Sequence, residues 1–199
     1  MENTIVYLIR HSVRFNNERI KQCNSSQKIL IKNEKSILSV EGEKRAKILS
    51  KEKELQNIDI VYVSNCVRTL QTAKYLLENQ NLFANIDDRF DERRVEEGET
   101  EEEVIERFTQ AFNEKISENK GKRIAVFSHG YAIVYFLKTW CKTEYNREEE
   151  RLKLVFNNNV IFNKKINAPE VFKLEFDKNN NIIDIINIEF KDLPYRNTY

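Results

Sequence analysis

Three apolar runs of strand length, each followed by a polar turn and a helix-like segment, constrain the fold of this chain most. The runs are IVYLI at residues 5–9, IDIVYVS at 58–64 and RIAVFS at 123–128. A short, continuously apolar run is typical of a strand that is buried on both faces of a parallel sheet. Helices that alternate with such strands pack on both faces of that sheet. The alternation therefore predicts a three-layer α/β/α sandwich.

Signals for helix starts and for a terminal hairpin support this architecture. Ser39 is a candidate N-cap, and Thr100 with Glu103 three residues later forms a capping box. Near the carboxyl end, VFKLEFD and IIDIINIEF predict a hairpin around residues 179–181. The hairpin makes the predicted sheet mixed, although mostly parallel.

Three further segments carry weaker signals. The helix after the third apolar run is expected to point Tyr131, Tyr135 and Trp140 into the core. Residues 12–37 and 143–170 show no clean period, and we expect them to border any site at the strand ends and to define its selectivity.

Length, charge and cysteine usage exclude several classes of protein. At 199 residues and 40% hydrophobic, residues 1–199 fit one domain. The 33 basic and 32 acidic residues give a net charge of +1, so we expect neither nucleic acid nor a membrane as a partner. Only five consecutive apolar residues occur near the start, too few for a signal peptide. Three scattered cysteines without a CxxC pair favour reduced thiols and a cytoplasmic location.

The two histidines of the chain, His11 and His129, follow the first and third apolar runs. Arg10 precedes His11, Arg68 begins the helix after the second run, and Glu92 lies in an acidic loop. Open α/β sheets bind ligands at the carboxyl ends of their strands. An imidazole nucleophile, guanidinium groups for phosphate oxygens and a carboxylic acid for the leaving group suit phosphoryl transfer. This chemistry requires no metal or other cofactor, so we expect none.

Four ordered motifs, LIRHS, LSVEGEKRA, SNCVRTLQTA and VFSHG, are similar to those of the histidine phosphatase superfamily, also called phosphoglycerate mutase-like. GETEEEVIERF resembles a further segment of that family. The resemblance covers most of the chain, and four motifs in the family's order are a specific signal. It implies a phosphoglycerate mutase-like fold and a phosphohistidine mechanism.

The resemblance also implies a role for individual residues. His11 matches the histidine that becomes phosphorylated, and Glu92 in FDERR matches the proton donor. The remaining matched positions imply contacts with the phosphoryl group or the substrate, and they are Arg10, Asn17, Arg68, His129 and Gly130.

The sequence departs from the family pattern in two places. The usual RHGE is replaced by Arg10-His11-Ser12-Val13, which removes a glycine and a glutamate beside the nucleophile. The loop after Glu92 is short, so the site should be open, and the spacing leaves Asp91, Glu96 and Glu97 as alternatives for the acid.

We therefore expect a phosphatase that acts on a small phosphorylated substrate or binds inorganic phosphate. A mutase would favour a lid that excludes water, and the short loop argues against one. A phosphoglycerate mutase-type phosphotransferase and a noncatalytic phospholigand-binding protein of the same fold remain the alternatives. Nothing in the sequence specifies an oligomeric state.

Overall fold

A computed structural model of the chain describes residues 2–15 and 35–195 and contains two sheets and four α-helices. Numbered in chain order, the strands are β1 Thr4–Arg10, β2 Ile60–Val63, β3 Ala84–Ile86, β4 Arg123–Ser128, β5 Lys142–Asn146, β6 Arg151–Phe156, β7 Asn159–Lys164, β8 Val171–Phe176 and β9 Ile182–Ile188. The helices are α1 Val40–Leu49, α2 Val67–Gln80, α3 Glu101–Glu118 and α4 Gly130–Leu137.

The larger sheet has six strands in the order β3-β2-β4-β1-β8-β9. β1, β2, β3 and β4 run parallel, whereas β8 is antiparallel to β1 and β9 to β8. The predicted terminal hairpin is thus confirmed, and it extends the sheet beyond β1. The sheet is mixed and mostly parallel, as the sequence indicated.

Alternate residues of the central strands face two different cores. Leu8 lies beside Val126 on one neighbouring strand and beside Phe172 on the other, and these three side chains pack with the aromatic face of α3 and α4. Tyr7 points the opposite way and packs in the core beneath α1 and α2 with Leu76. Because both faces are covered, the strands are apolar at almost every position. The three-layer sandwich is confirmed.

Both predicted helix starts are present. The Ser39 hydroxyl accepts from the Gly42 amide at 3.0 Å, and Thr100 and Glu103 form the reciprocal capping box at the start of α3. The Ser39 amide also donates to the Val13 carbonyl at 3.0 Å. A Cβ atom on Gly42 would lie 2.0 Å from that carbonyl oxygen, so only glycine lets α1 approach the loop after His11.

The segment that the sequence left without a period contains a second sheet, with strand order β5-β6-β7. Leu152, Leu154, Phe156 and Phe162 are buried and join the core beneath α3 and α4. The turn between β6 and β7 places Asn157 and Asn158 at positive φ, the backbone of a tight hairpin. The Asn-Asn pair before Asn159 is therefore the sequence signal that could have identified this hairpin.

Among the described residues, no helix has the length and apolar character that a membrane span requires. Cys66 and Cys141 are buried free thiols, in agreement with the prediction of reduced cysteines at these positions.

Candidate active site

His11 lies where β1 ends, next to the end of its parallel neighbour β4. Its backbone amide donates to the Ser128 carbonyl at 2.9 Å, which continues the pairing of the two strands by one residue. The side chain is 6% exposed. The imidazole is therefore fixed by sheet geometry at the carboxyl edge of the sheet, where α/β proteins bind ligands.

The surroundings of His11 define its protonation. Nδ1 lies 2.7 Å from the Ser12 carbonyl oxygen. A carbonyl oxygen only accepts, so Nδ1 carries the proton and Nε2 has a free lone pair. Burial, followed by the guanidinium groups of Arg68 and Arg10, holds the pKa of His11 well below its usual value of 6.5. Near neutral pH this side chain is an uncharged imidazole with a nucleophilic Nε2 atom.

His129 follows β4 and stands beside His11, with 5.3 Å between the ring centroids. Arg68 Nη2 donates to Nδ1 of His129 at 2.9 Å, so the proton of the ring is on Nε2, which lies 2.8 Å from the Ser64 hydroxyl. Burial and the adjacent Arg68 charge lower the pKa of His129 well below 6.5. Both ring nitrogens thus contact protein groups, and the side chain is fully buried rather than part of the cavity wall.

A chain of hydroxyl groups fixes the other side of His129. The Ser64 hydroxyl lies 2.9 Å from that of Thr69, which in turn donates to the Cys66 carbonyl at 2.6 Å. Because Thr69 donates onward, Ser64 donates to Thr69 and accepts from His129. Arg68 is consequently held by a chain of hydrogen bonds that runs from the Cys66 carbonyl through Thr69, Ser64 and His129. Both ends of this chain lie at the start of α2.

Two guanidinium groups reach the edge of the sheet from different elements. Arg10 ends β1, and its Nη1 atom donates to the carbonyl oxygens of Ile166 and Asn167 at 3.2 and 3.0 Å. A Cβ atom on Gly130 would lie 3.1 Å from Arg10 Nε, so the glycine allows this arginine to pass close to the start of α4. Arg68 is 2% exposed, and burial lowers its pKa.

The amino-terminal ends of α2 and α4 add to this positive field. Arg68 is in the first turn of α2, and Gly130 is the first residue of α4. Helix amino termini carry unpaired amide donors and partial positive charge. Two buried or half-buried guanidinium groups beside two such termini form a strong site for an oxyanion.

Two carboxyl groups from the loop after β3 reach the same cavity. Glu92 accepts from the Arg93 amide at 3.2 Å and from the Ala132 amide in the first turn of α4, yet burial still raises its pKa. Asp91 accepts from the Asn65 amide at 2.6 Å, and burial raises its pKa to about 6. Glu92 interacts electrostatically with Arg68 and Arg10, which places it beside the oxyanion site. Glu96 and Glu97 also line the cavity but are exposed.

Arg107 on α3 fixes the loop that carries these acids. Its Nη1 atom donates to the carbonyl oxygens of Arg89 and Asp91 at 2.7 and 3.0 Å, and Nη2 donates to that of Glu92 at 3.2 Å. Glu99 forms an ion pair with Arg107 at 2.5 Å. Sequence reasoning gave Arg107 no role of its own, although it is the arginine of the GETEEEVIERF segment.

The two residues that replace the family's usual glycine and glutamate after His11 both have defined hydrogen-bond environments. The Ser12 amide donates to the Thr72 hydroxyl at 2.9 Å, while the Ser12 hydroxyl is buried and has no hydrogen-bond partner among the described residues. Ser12 lines the cavity. The Val13 carbonyl accepts hydrogen bonds from the Ser39 amide and the Ser39 hydroxyl. Asn17 lies outside the described residues.

The predicted site residues that the structure describes, other than His129, line one cavity of about 970 Å³. Arg10, His11, Arg68 and Glu92 lie at its inner end, together with Gly130. Two tyrosines of α4 also line it, which corrects one prediction: Tyr131 is 57% exposed and is not part of the core. Tyr135 is half-buried and contacts both the core and the cavity, and Trp140 packs against the core as expected.

Cys66, Asp91 and His129 are the group of potential metal ligands found among residues 2–15 and 35–195, with their ligand atoms within 4.8 Å of one another. The residues do not fit a cation well, because both nitrogens of His129 are already hydrogen-bonded and the Arg68 charge lies against the ring. Burial raises the pKa of the Cys66 thiol, so the thiolate that a metal would need is disfavoured.

A family model described as histidine phosphatase superfamily (branch 1) matches residues 6–97 and 92–158. Among solved structures, a mycobacterial glucosyl-3-phosphoglycerate phosphatase is 13% identical, with a TM-score of 0.61 and coverage of 94% of this chain and 97% of that one. A phosphoglycerate mutase from Bacillus anthracis is 13% identical, with a TM-score of 0.59 and coverage of 92% and 91%. The protein histidine phosphatase SixA, solved with tungstate, is 15% identical, with a TM-score of 0.54 and coverage of 92% and 96%. No curated protein matches this chain significantly in sequence.

Proposed function

This chain belongs to the histidine phosphatase superfamily (branch 1), and on that premise we propose that it hydrolyses phosphomonoesters through a phosphohistidine on His11. One observation carries the proposal. The Nε2 lone pair of His11 is left free by the Nδ1 hydrogen bond to Ser12, and two guanidinium groups lie beside it. A neutral nucleophile within a cationic cradle suits attack on phosphorus.

In the first step, Nε2 of His11 attacks the phosphorus atom in line with the bond to the leaving oxygen. The N–P bond forms as the P–O bond breaks, and Glu92 donates its proton to the departing oxygen. The raised pKa of Glu92 supports this role, because a carboxyl group must be protonated to act as an acid near neutral pH. Arg10 and Arg68 stabilise the negative charge on the phosphoryl oxygens.

In the second step, Glu92, now a carboxylate, takes a proton from a water molecule whose oxygen attacks phosphorus. The N–P bond breaks, inorganic phosphate leaves, and His11 returns to its neutral tautomer. Because Glu92 is protonated again, the cycle closes without a cofactor.

Hydrolysis is favoured over transfer to a second hydroxyl group by the loop that follows Glu92. Residues from Glu92 to Gly98 contain a single 3₁₀ turn, Val95–Glu97, whose side chains are exposed. This loop supplies no cover to exclude water from a phosphohistidine. The solved mutase of the same fold shows that the scaffold also supports transfer, so the assay must separate the two outcomes.

The test is chemical trapping of the intermediate. Wild type and His11→Gln are incubated with a ³²P-labelled phosphomonoester, denatured in alkali, and digested to locate the label. Label on His11 together with released phosphate is the expected result, and His11→Gln should give neither. Efficient isomerisation of 3-phosphoglycerate without phosphate release would instead indicate a mutase. Tight phosphate binding without any covalent label would indicate a noncatalytic binding protein.

A further inference from the structure

The cavity is far larger than a phosphoryl group, and its outer part differs in chemistry from the inner end. A volume of about 970 Å³ lies at the upper end of the range of roughly 300–1,000 Å³ that is typical of sites for drug-sized ligands. Beyond the arginines, the wall carries four tyrosines, which are Tyr131, Tyr135, Tyr145 and Tyr195. A site for a short polyol phosphate would need neither this volume nor these rings.

The tyrosines come from separate elements that face the same space. Tyr131 and Tyr135 lie one turn apart on α4, with ring centroids 6.1 Å apart and an interplanar angle of 33°. Tyr145 is on β5 of the small sheet, and Tyr195 follows the last strand. Tyr131 and Tyr145 are each 57% exposed, and Tyr195 is 47% exposed. Exposed aromatic rings grouped in one cavity, rather than scattered over the surface, mark a ligand site.

The charged side chains that the structure places beside Tyr145 and Tyr195 form one ion pair. Lys165 pairs with Glu150 at 3.0 Å, and both residues line the cavity. Lys165 also lies near enough to Tyr145 and Tyr195 for electrostatic interaction with them. A negatively charged leaving group would gain no net charge partner from this ion pair, whereas an uncharged ring would contact the tyrosines without loss of a charge partner.

We propose that the tyrosine wall, formed by Tyr131, Tyr135, Tyr145 and Tyr195, binds a planar aromatic ring in the leaving group of the phosphomonoester. The proposal rests on the proposed phosphatase activity and defines its substrate class. The phosphoryl group lies against Arg10 and Arg68, and the ring stacks on tyrosine faces farther out. Aromatic stacking favours a flat π-system over a saturated ring of the same size.

The experiment compares substrates that differ only in the leaving group. Benzyl phosphate and cyclohexylmethyl phosphate carry rings of similar size, and ethyl phosphate carries none. Wild type, Tyr131→Ala, Tyr145→Ala and Tyr131→Phe are assayed for released phosphate. Phe83→Ala is the matched control, because Phe83 is 87% exposed and lies outside the cavity lining.

We expect each alanine variant to lose about tenfold in kcat/KM with benzyl phosphate, because one aromatic stacking contact is removed. The kcat/KM of these variants should fall about threefold or less with cyclohexylmethyl phosphate and should not change with ethyl phosphate. Tyr131→Phe should retain the preference for benzyl phosphate. Equal losses with the two rings, or no loss with either, would overturn the proposal.

Binding without turnover separates this inference from the proposed function. Calorimetry with benzylphosphonate and cyclohexylmethylphosphonate, which cannot be hydrolysed, should show the same ring preference in wild type and its loss in Tyr145→Ala. A ring preference in binding with no phosphohistidine would overturn the function and keep the inference. Two sources of the ring are then distinguished by assays with phosphotyrosine, whose ring adjoins the phosphate, and with adenosine 5′-monophosphate, whose base lies one ribose away. The substrate whose kcat/KM falls more in the tyrosine variants carries the ring that the tyrosine wall binds.

Discussion

Arg68 Nη2 donates to Nδ1 of His129 at 2.9 Å, and both side chains are almost fully buried. The relation fixes the tautomer of the imidazole and the direction of the guanidinium together. His129 is thereby a positioning residue for Arg68, in addition to its packing against His11. A ligand contact by His129, which the family resemblance implies, would require one of its two nitrogens to exchange partners.

Substitution of His129 by two amides separates its two contacts. The amide of Asn overlays Nδ1 and keeps an acceptor for Arg68, whereas that of Gln reaches Nε2 and keeps only the Ser64 contact. A hydrogen bond to a charged group contributes about 1.5–3 kcal/mol, so His129→Gln should lose about tenfold to a hundredfold in kcat/KM and weaken inhibition by inorganic phosphate. His129→Asn should lose less than His129→Gln in both measurements. Equal losses in two folded variants would contradict a positioning role.

The effect of removing Glu92, the proposed acid, should depend on the leaving group. Glu92→Gln should lower kcat by about 10²–10⁴-fold with ethyl phosphate, because an alkoxide cannot leave without a proton. With p-nitrophenyl phosphate the first step should suffer much less, since nitrophenolate leaves unaided. Asp91→Asn and Glu97→Gln are the comparison variants. If Asp91→Asn shows the leaving-group dependence and Glu92→Gln does not, the acid is Asp91.

Acid should destabilise the fold through the two histidines. Their folded-state pKa values are lowered, so below the unfolded value of 6.5 the unfolded chain binds protons that the folded protein excludes. The stabilisation is complete above pH 6.5 and is lost as the pH falls, by up to about 1.4 kcal/mol per pH unit for each histidine. Asp91 opposes this trend below about pH 6, because its pKa is raised.

Urea unfolding of wild type and His11→Asn between pH 5 and 8 measures the contribution of His11 separately from the carboxyl groups. The unfolding free energy of wild type minus that of His11→Asn should be constant above pH 7 and should decrease below pH 6.5. A difference that grows as the pH falls would show that His11 is charged in the folded state.

Ser12→Ala tests the buried hydroxyl next to His11, the proposed nucleophile. An unsatisfied buried hydroxyl costs about 1–3 kcal/mol, so its removal should leave the melting temperature unchanged or raise it. If the hydroxyl donates to a phosphoryl oxygen, kcat/KM should fall about tenfold in the same variant. Lower stability with unchanged activity would mean that the hydroxyl has a structural partner instead.

The parts of the fold that could be predicted are those that local sequence determines. β1, β2 and β4 are apolar because both of their faces are buried, and α1 and α3 have capping residues that act within one turn. The positions of His11 and His129 at strand ends follow from these boundaries.

The parts that could not be predicted depend on contacts between distant elements. β5 is charged and mostly exposed, so its pairing with β6 leaves no apolar period to detect. Tyr131 sits on a helix whose cavity side adjoins its core side, and helical periodicity does not distinguish the two. The choice among the carboxyl groups near Glu92 likewise depends on the loop geometry that Arg107 imposes from α3.

That geometry has an implication for how the site can diverge. Arg107 holds the acid loop through the backbone carbonyl oxygens of Arg89, Asp91 and Glu92, which every residue type possesses. Substitutions of the exposed side chains at residues 95–97 would therefore alter the cavity rim while Glu92, the proposed proton donor, stays in position. Selectivity and catalysis can thus change independently within a loop of a few residues, which makes this rim a practical starting point for libraries with altered substrate range.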